Sequence, residues 1–482
     1  MLTTQQSQQV PTQSHWGKAF AQRIQEFPAT PLTVLSGSLP TDLHGSLYRN
    51  GPALFERRGD RIAHWFDGDG AILGVHFDGP QATGVYRMVQ TSGYRAEEAS
   101  GRFQFGGYGR RASGPLWSAS VNKPKNAANT SVLAVSDRLL ALWEGGQPHA
   151  LDLNTLETRG LDVLQGLEAG QTFSAHPKVD SQTGEIHNFG VTFGRKTQLH
   201  LYRCDRAGHL QQHGVVALAH IPMIHDFVLA GPYLIFFISP VHLNPLPVLL
   251  HQKSYSDSLR WHPERGTQIL VVDRETLAPV RRGETDPWFQ WHFGNGFLDR
   301  DGQVIVDMVR YADFQTNQFL KEVPSGKPKT EAFGTLWRLR LNPKTATVTE
   351  AIPLSDRTCE FPTVSPNKVG QPSRYTYVAA RSDRAQMTDV FDAIAYYDHE
   401  LGDMTLADLG GQRYPSEPIF APNSQQPDRG WILSVVYDAQ SHTSEVWIFE
   451  SQGLENGPIC RLALPQVIAL GFHGTWKAAK RS

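Results

Sequence analysis

Seven times along this chain a short apolar strand runs into a turn rich in Asp, Asn, Gly or Pro and then into a second strand. The units begin near Ala71 (AILGVHFDGPQATGVYRM), His149 (HALDLNTLETRGLDV), Gln198 (QLHLYRCDRAGHLQQHGVV), Gln268 (QILVVDRETLAPV), Thr335 (TLWRLRLNPKTATVTEA), Ala393 (AIAYYDHELGDMTLAD) and Glu445 (EVWIFESQGLENGPICRLAL). Each first strand is rich in Val, Ile, Leu, Tyr and Trp, and each turn supplies residues that tolerate φ > 0. A lone hairpin is marginal in water, so each must join a larger sheet. The spacing of roughly 50 to 80 residues exceeds that of simple propeller repeats. Further strands between the hairpins (DRLLALWE, YLIFFIS, QVIVDMVRY, YTYVAARSD, WILSVVYDA) account for the excess. The expectation is an all-β chain, a seven-bladed β-propeller over residues 31–482 preceded by a flexible lead-in over 1–30. A two-sheet sandwich would not explain so many similar hairpins.

Lys and Arg total 45 against 47 Asp and Glu, a net charge of -2, without the basic excess of a nucleic-acid binder. Three distant cysteines (Cys204, Cys359, Cys460) and no CxxC pair argue against thiolate metal sites and fit a reducing compartment. The polar start MLTTQQSQQVPTQSH lacks the apolar core of a signal peptide, so a cytoplasmic location is expected. No run approaches the ~20 apolar residues that span a bilayer. The segment from Pro240 to Leu250 (PVHLNPLPVLL) is apolar, and its three prolines argue against a regular helix through its middle. It reads either as a buried loop or as a patch that touches a membrane surface.

Four histidines sit in motifs rich in aromatic, Pro, Gly and Asp residues: His176 (FSAHPKVD), His225 (PMIHDFV), His292 (QWHFGNGF) and His473 (GFHGTW). None is spaced to share a helix face with another, so a site made from them must be assembled by the whole fold. Imidazole suits iron, zinc and copper. All four fall between successive hairpins, where the inner strands of propeller blades would converge on an axis. Glu144 (LLALWEGGQPH), Glu360 (CEFPTVSP) and Glu417 (YPSEPIFAP) stand among apolar, Pro or Gly neighbours, where a carboxylate needs a partner. Carboxylates that accept the second N–H of metal-bound imidazoles would meet that need.

These motifs carry a resemblance. FSAHP, IHDF, WHFGNGF and FHGTW resemble the four metal-ligand motifs of the carotenoid cleavage oxygenases, and LWEGGQP, CEFP and SEPIF resemble that family's glutamate motifs in the same order. LYRNGPA at 47–53, WFDGDGAI at 65–72 and KNAANTS at 125–131 are similar to its N-terminal signatures, and LWEGGQPHALD is similar to its cyanobacterial apocarotenoid 15,15′-oxygenase branch. The resemblance spans about Leu39 to Trp476. It implies that His176, His225, His292 and His473 bind one ferrous ion (Fe2+), under a dome of long loops. It also implies that Glu144, Glu360 and Glu417 hold His225, His292 and His473 respectively. Thr130 would lie beside the metal, and Phe66, Trp143 and Phe361 along the substrate channel.

The implied activity is O₂-dependent cleavage of one conjugated double bond of an apocarotenoid, the 15,15′ bond, with retinal as a product. Peripheral attachment to a membrane through Pro240–Leu250 would give access to such a substrate. The alternatives are the same fold acting on stilbene-type olefins, a polyene isomerase, and a non-catalytic carotenoid-binding propeller. GDG at 68–70 lacks the downstream Lys-Ser/Thr of a phosphate loop and reads as a turn. Residues 122–125 read as a solvated basic loop, and His64, His149 and His251 as surface or supporting residues rather than ligands.

Overall fold

A computed structural model describes residues 14–21, 24–113 and 124–479. The fold is all-β and overwhelmingly antiparallel, and all seven hairpins of the sequence are present in it. Each is the outer part of a meander that starts from a short first strand. The first strands are Ser131–Ala134, Lys178–Val179, Val228–Ala230, Phe293–Leu298, the end of Thr347–Thr363, Ile419–Pro422 and Gly474–Ala478. Thr347–Thr363 serves two meanders: its N-terminal part pairs with Thr335–Asn342, and Cys359, Glu360 and Thr363 pair with Tyr375–Ala380.

The burial patterns explain these positions. Tyr233–Ile238 (YLIFFI) is almost continuously buried because a middle strand packs on both faces. Leu210–Leu218, at the outer edge of its sheet, alternates between exposed and covered positions. The chain's ends are tied together by strand exchange. Thr33–Gly37 pairs with Cys460–Ala463 on the last meander, while Gly474–Ala478 pairs with Gly45–Arg49 on the first.

Three local expectations change. Residues 1–13 of the expected lead-in lie outside the described residues, but His15–Phe20 form a 3-10 turn that buries Trp16 and Phe20, and Phe27–Pro31 pairs with the strand Gln81–Met88. Residues 122–123 of the expected basic loop also lie outside them. Lys125 is buried, its Nζ 2.9 Å from Asp69 and 2.8 Å from Glu97. Within Pro240–Leu250, Pro245–Leu249 forms one helical turn capped by the Asn244 side chain. Pro245 occupies the first turn, where a missing N–H costs nothing. Among the described residues no helix is long and apolar enough to cross a membrane.

Candidate metal centre

The local architecture gathers the histidines by one rule: each of the four stands one to three residues before a first strand. His176 precedes Lys178–Val179, His225 precedes Val228–Ala230, His292 precedes Phe293–Leu298, and His473 precedes Gly474–Ala478. The three remaining first strands carry Thr130 just before Ser131–Ala134, Glu360 within Thr347–Thr363, and Glu417 just before Ile419–Pro422. Seven equivalent positions therefore bring four imidazoles, two carboxylates and one hydroxyl to one place.

All four histidines are buried, and one ring nitrogen from each lies within 4.8 Å of the others. Nε2 of His225 is 3.0 Å from Nε2 of His176 and 3.2 Å from Nε2 of His292. Glu360 Oε2 lies 2.6 Å from His292 Nδ1, Glu417 Oε1 lies 2.9 Å from His473 Nδ1, and Glu144 Oε1 meets His225 Nδ1. These are the three pairings the resemblance implied. A carboxylate at Nδ1 holds the proton there, so Nε2 presents its lone pair inward. Burial, then the neighbouring imidazoles, hold His176 and His473 well below the usual imidazole pKa. Burial opposes charging of His225 too, but the surrounding carboxylates, Glu144 foremost with Asp226 and Glu360, together raise that pKa. Inward lone pairs at such short separations repel unless a cation lies among them, so the donor set fits a divalent metal.

Glu360 also accepts from the Tyr311 hydroxyl at 3.1 Å, and Glu417 from Gly474 N at 2.7 Å. Arg49 Nη1 lies 3.2 Å from Glu417 Oε2, while Arg49 Nη2 donates to Phe472 O at 2.8 Å. Burial pushes the Glu417 carboxyl up to about 7, with Arg49 opposing. Glu144 is the least enclosed of the three, with a side chain 31% exposed. Arg49 and Tyr311 had no assigned role in the sequence, although Arg49 sits inside the LYRNGPA signature.

A cavity of about 420 Å³ adjoins the centre and reaches His225, His292 and His473; Phe66, Thr130, Trp143 and Phe361 all line it. Phe361 stacks on His292 at 5.5 Å and meets His473 edge-on at 5.3 Å. Its φ of 57° is unusual for a bulky residue, a strained conformation of the kind that clusters at functional sites. Thr130 Oγ1 donates to Asn129 Oδ1 at 3.1 Å, and Thr130 O accepts from His473 N at 3.3 Å, which ties the hydroxyl position to the last histidine. His176 instead faces a second cavity of about 290 Å³ that holds Lys178 and Asp226. His64, His149 and His251 stay outside the four-histidine group; His64 is buried and accepts from Phe66 N.

Four buried imidazoles, three of them oriented by carboxylates, beside a largely apolar cavity define a candidate four-histidine metal centre. The model of the retinal pigment epithelial membrane protein family matches residues 20–478. The chain is 34% identical over 497 aligned positions to apocarotenoid-15,15′-oxygenase of Synechocystis, covering 98% of each chain. It is 28% identical to carotenoid 9,10(9′,10′)-cleavage dioxygenase 1 of Arabidopsis thaliana, covering 94% of this chain and 88% of that one. The crystal structure of the cobalt-substituted Synechocystis apocarotenoid oxygenase superposes with a TM-score of 0.87 at 32% identity, over 96% of this chain and 98% of that one. The chain belongs to this family of carotenoid oxygenases.

Proposed function

We propose that this protein is an iron(II)-dependent dioxygenase that cleaves a conjugated double bond of an apocarotenoid with O₂, at the 15,15′ position, releasing retinal and a second carbonyl product. The observation that carries the reading is the junction of the four-histidine centre with an aromatic-lined cavity, in a chain similar end to end to an apocarotenoid-15,15′-oxygenase. His176, His225, His292 and His473 would hold the iron, which supplies the redox chemistry that activates O₂. Glu144, Glu360 and Glu417 hold three of the rings in register. Phe66, Trp143 and Phe361 bind the polyene by apolar burial, about 25 cal/mol per Å², and Thr130 limits the space next to the centre. The chemistry asks for no general acid or base.

In the same reading the seven meanders are seven propeller blades around the metal axis, in one domain that extends the expected 31–482 to take in the packed turn His15–Phe20 and the strand Phe27–Pro31, with the long inserted loops as the dome. Exchange of the terminal strands closes such a ring. Anaerobic loading with iron followed by product analysis on a panel of apocarotenals and stilbenes tests the function. One iron per chain and retinal from an apocarotenal are expected. Bound zinc without O₂ uptake, or cleavage confined to stilbenes, overturns the reading.

The cytoplasmic, peripherally membrane-attached state belongs to this proposal as well. Leu246, Leu249 and Leu250 are 64%, 70% and 61% exposed on and just after the turn Pro245–Leu249. Their i, i+3, i+4 spacing places them on one face. Leu246→Asp combined with Leu249→Asp should release the protein from liposomes in a flotation assay while leaving metal content unchanged. Unchanged partitioning would make the leucines an ordinary surface.

A further inference from the structure

Among the described residues Arg381 is a buried cation with no ion pair; Asp389, Asp392 and Glu331 act on it only from a distance. It follows the strand Tyr375–Ala380, its backbone N–H donates to Thr358 O at 2.9 Å, and its side chain turns into the wall of the large cavity. The residue is 5% exposed, with the guanidinium 5.6 Å from the Phe319 ring centroid and 5.9 Å from that of Phe391. Nη1 donates to Ala332 O at 3.1 Å, whereas Nε has no partner among the described residues. The two nearer acids are engaged elsewhere, Asp392 by Ser382 N and Oγ and Asp389 by Trp16 Nε1 and Gln386 N, while Glu331 is exposed to solvent.

The other buried cations are treated differently. Arg49 faces Glu417, Lys125 faces Asp69 and Glu97, and Arg57 faces Asp69 and Glu98. Leaving a buried charge unpaired is strongly unfavourable, and stacking on two aromatic faces recovers only part of the loss. A run of ring contacts connects Arg381 to the metal centre. His292 stacks on Phe361, Phe361 meets Phe391 edge-on at 6.2 Å, and Phe391 lies under the guanidinium.

An apolar cavity holds a polyene strongly but lets it slide, because every CH=CH segment offers the same surface. One polar contact at a fixed distance from the metal removes that freedom. We propose that Arg381 binds the oxygen-bearing end of the polyene, a carboxylate in preference to a carbonyl or an alcohol, and so sets which double bond stands at the metal centre. This rests on the polyene-cleaving function proposed above.

The test compares an apocarotenoic acid with its methyl ester, which removes the charge and keeps the chain. Equilibrium binding to the iron-loaded protein is followed anaerobically by the polyene absorbance. A hydrogen bond to a charged group implies that the wild type binds the acid at least about tenfold tighter than the ester. Arg381→Met should bring that ratio to about one and spread the cleavage position of the acid in air, with iron content unchanged; Arg381→Lys should fall between. A wild-type ratio near one, or a full ratio kept by Arg381→Met, overturns the role of Arg381. If Arg381→Met fails to fold, the wild-type ratio and Arg381→Lys decide. A wild type that cleaves the aldehyde without telling acid from ester defeats this inference alone. A wild type that cleaves no polyene defeats the function on which it rests.

Discussion

His473→Ala should abolish metal retention and lower turnover at least about 100-fold, beyond the upper end of what supporting residues contribute. The ring is one of four imidazoles in the centre, and its backbone is held independently of it. The strand Gly474–Ala478 is held independently through its pairing with Gly45–Arg49, and the backbone of residue 473 through Asn50 N at 2.8 Å. Glu417 keeps Arg49 and Gly474 N as partners when the imidazole is removed. Metal per chain should therefore fall while the unfolding midpoint of the metal-free protein stays near wild type. Free imidazole should restore part of the metal binding, since the space left by the side chain matches it. Deletion of the last ten residues is a cruder version. It also removes the strand that completes the first sheet and Trp476, which packs against that sheet's core. A His473→Ala protein with wild-type metal content and rate would exclude His473 as a ligand.

The seven hairpins were legible because a strand–turn–strand unit is a local event, written in alternation and in turn residues. The first strands that complete the sheets were not. Lys178–Val179 and Val228–Ala230 span two and three residues, too short for any periodicity to register. Yet these strands decide where the site lies, because each of the four histidines stands just ahead of one. The four histidines and three glutamates could be picked out only because their flanking motifs are unusual. Lys125 was misread for the opposite reason: its neighbours look like a loop, while Asp69 and Glu97, which make it a buried cation, are far away in sequence. Three prolines argued against a helix at Pro240–Leu250, but a proline in the first turn is tolerated, and one turn is all that forms. Arg49 was visible as part of a motif, but its partner 368 residues away was not.

That long-range pair makes Glu417→Gln the most damaging of the glutamate substitutions. The carboxylate does two jobs: Oε1 orients His473, and Oε2 neutralises a guanidinium that is 4% exposed. Glutamine can still accept from the imidazole N–H, but it has no charge to offer Arg49. Metal affinity should fall about 10–100-fold, the usual scale for a group behind a ligand. Above pH 7, where the Glu417 carboxyl is ionised, folding stability should fall separately by about 3–5 kcal/mol, the cost of stranding a buried charge. Glu360→Gln provides the control. Its second partner is the neutral Tyr311 hydroxyl, so metal binding should weaken while metal-free stability changes little. Metal titration and urea unfolding of the two variants separate the effects. Adding Arg49→Met to Glu417→Gln removes the stranded cation, so the double variant should regain stability without regaining metal affinity. If Glu417→Gln unfolds like the wild type, Arg49 is not balanced by this carboxylate. If it also keeps wild-type metal affinity, Glu417 does not support His473.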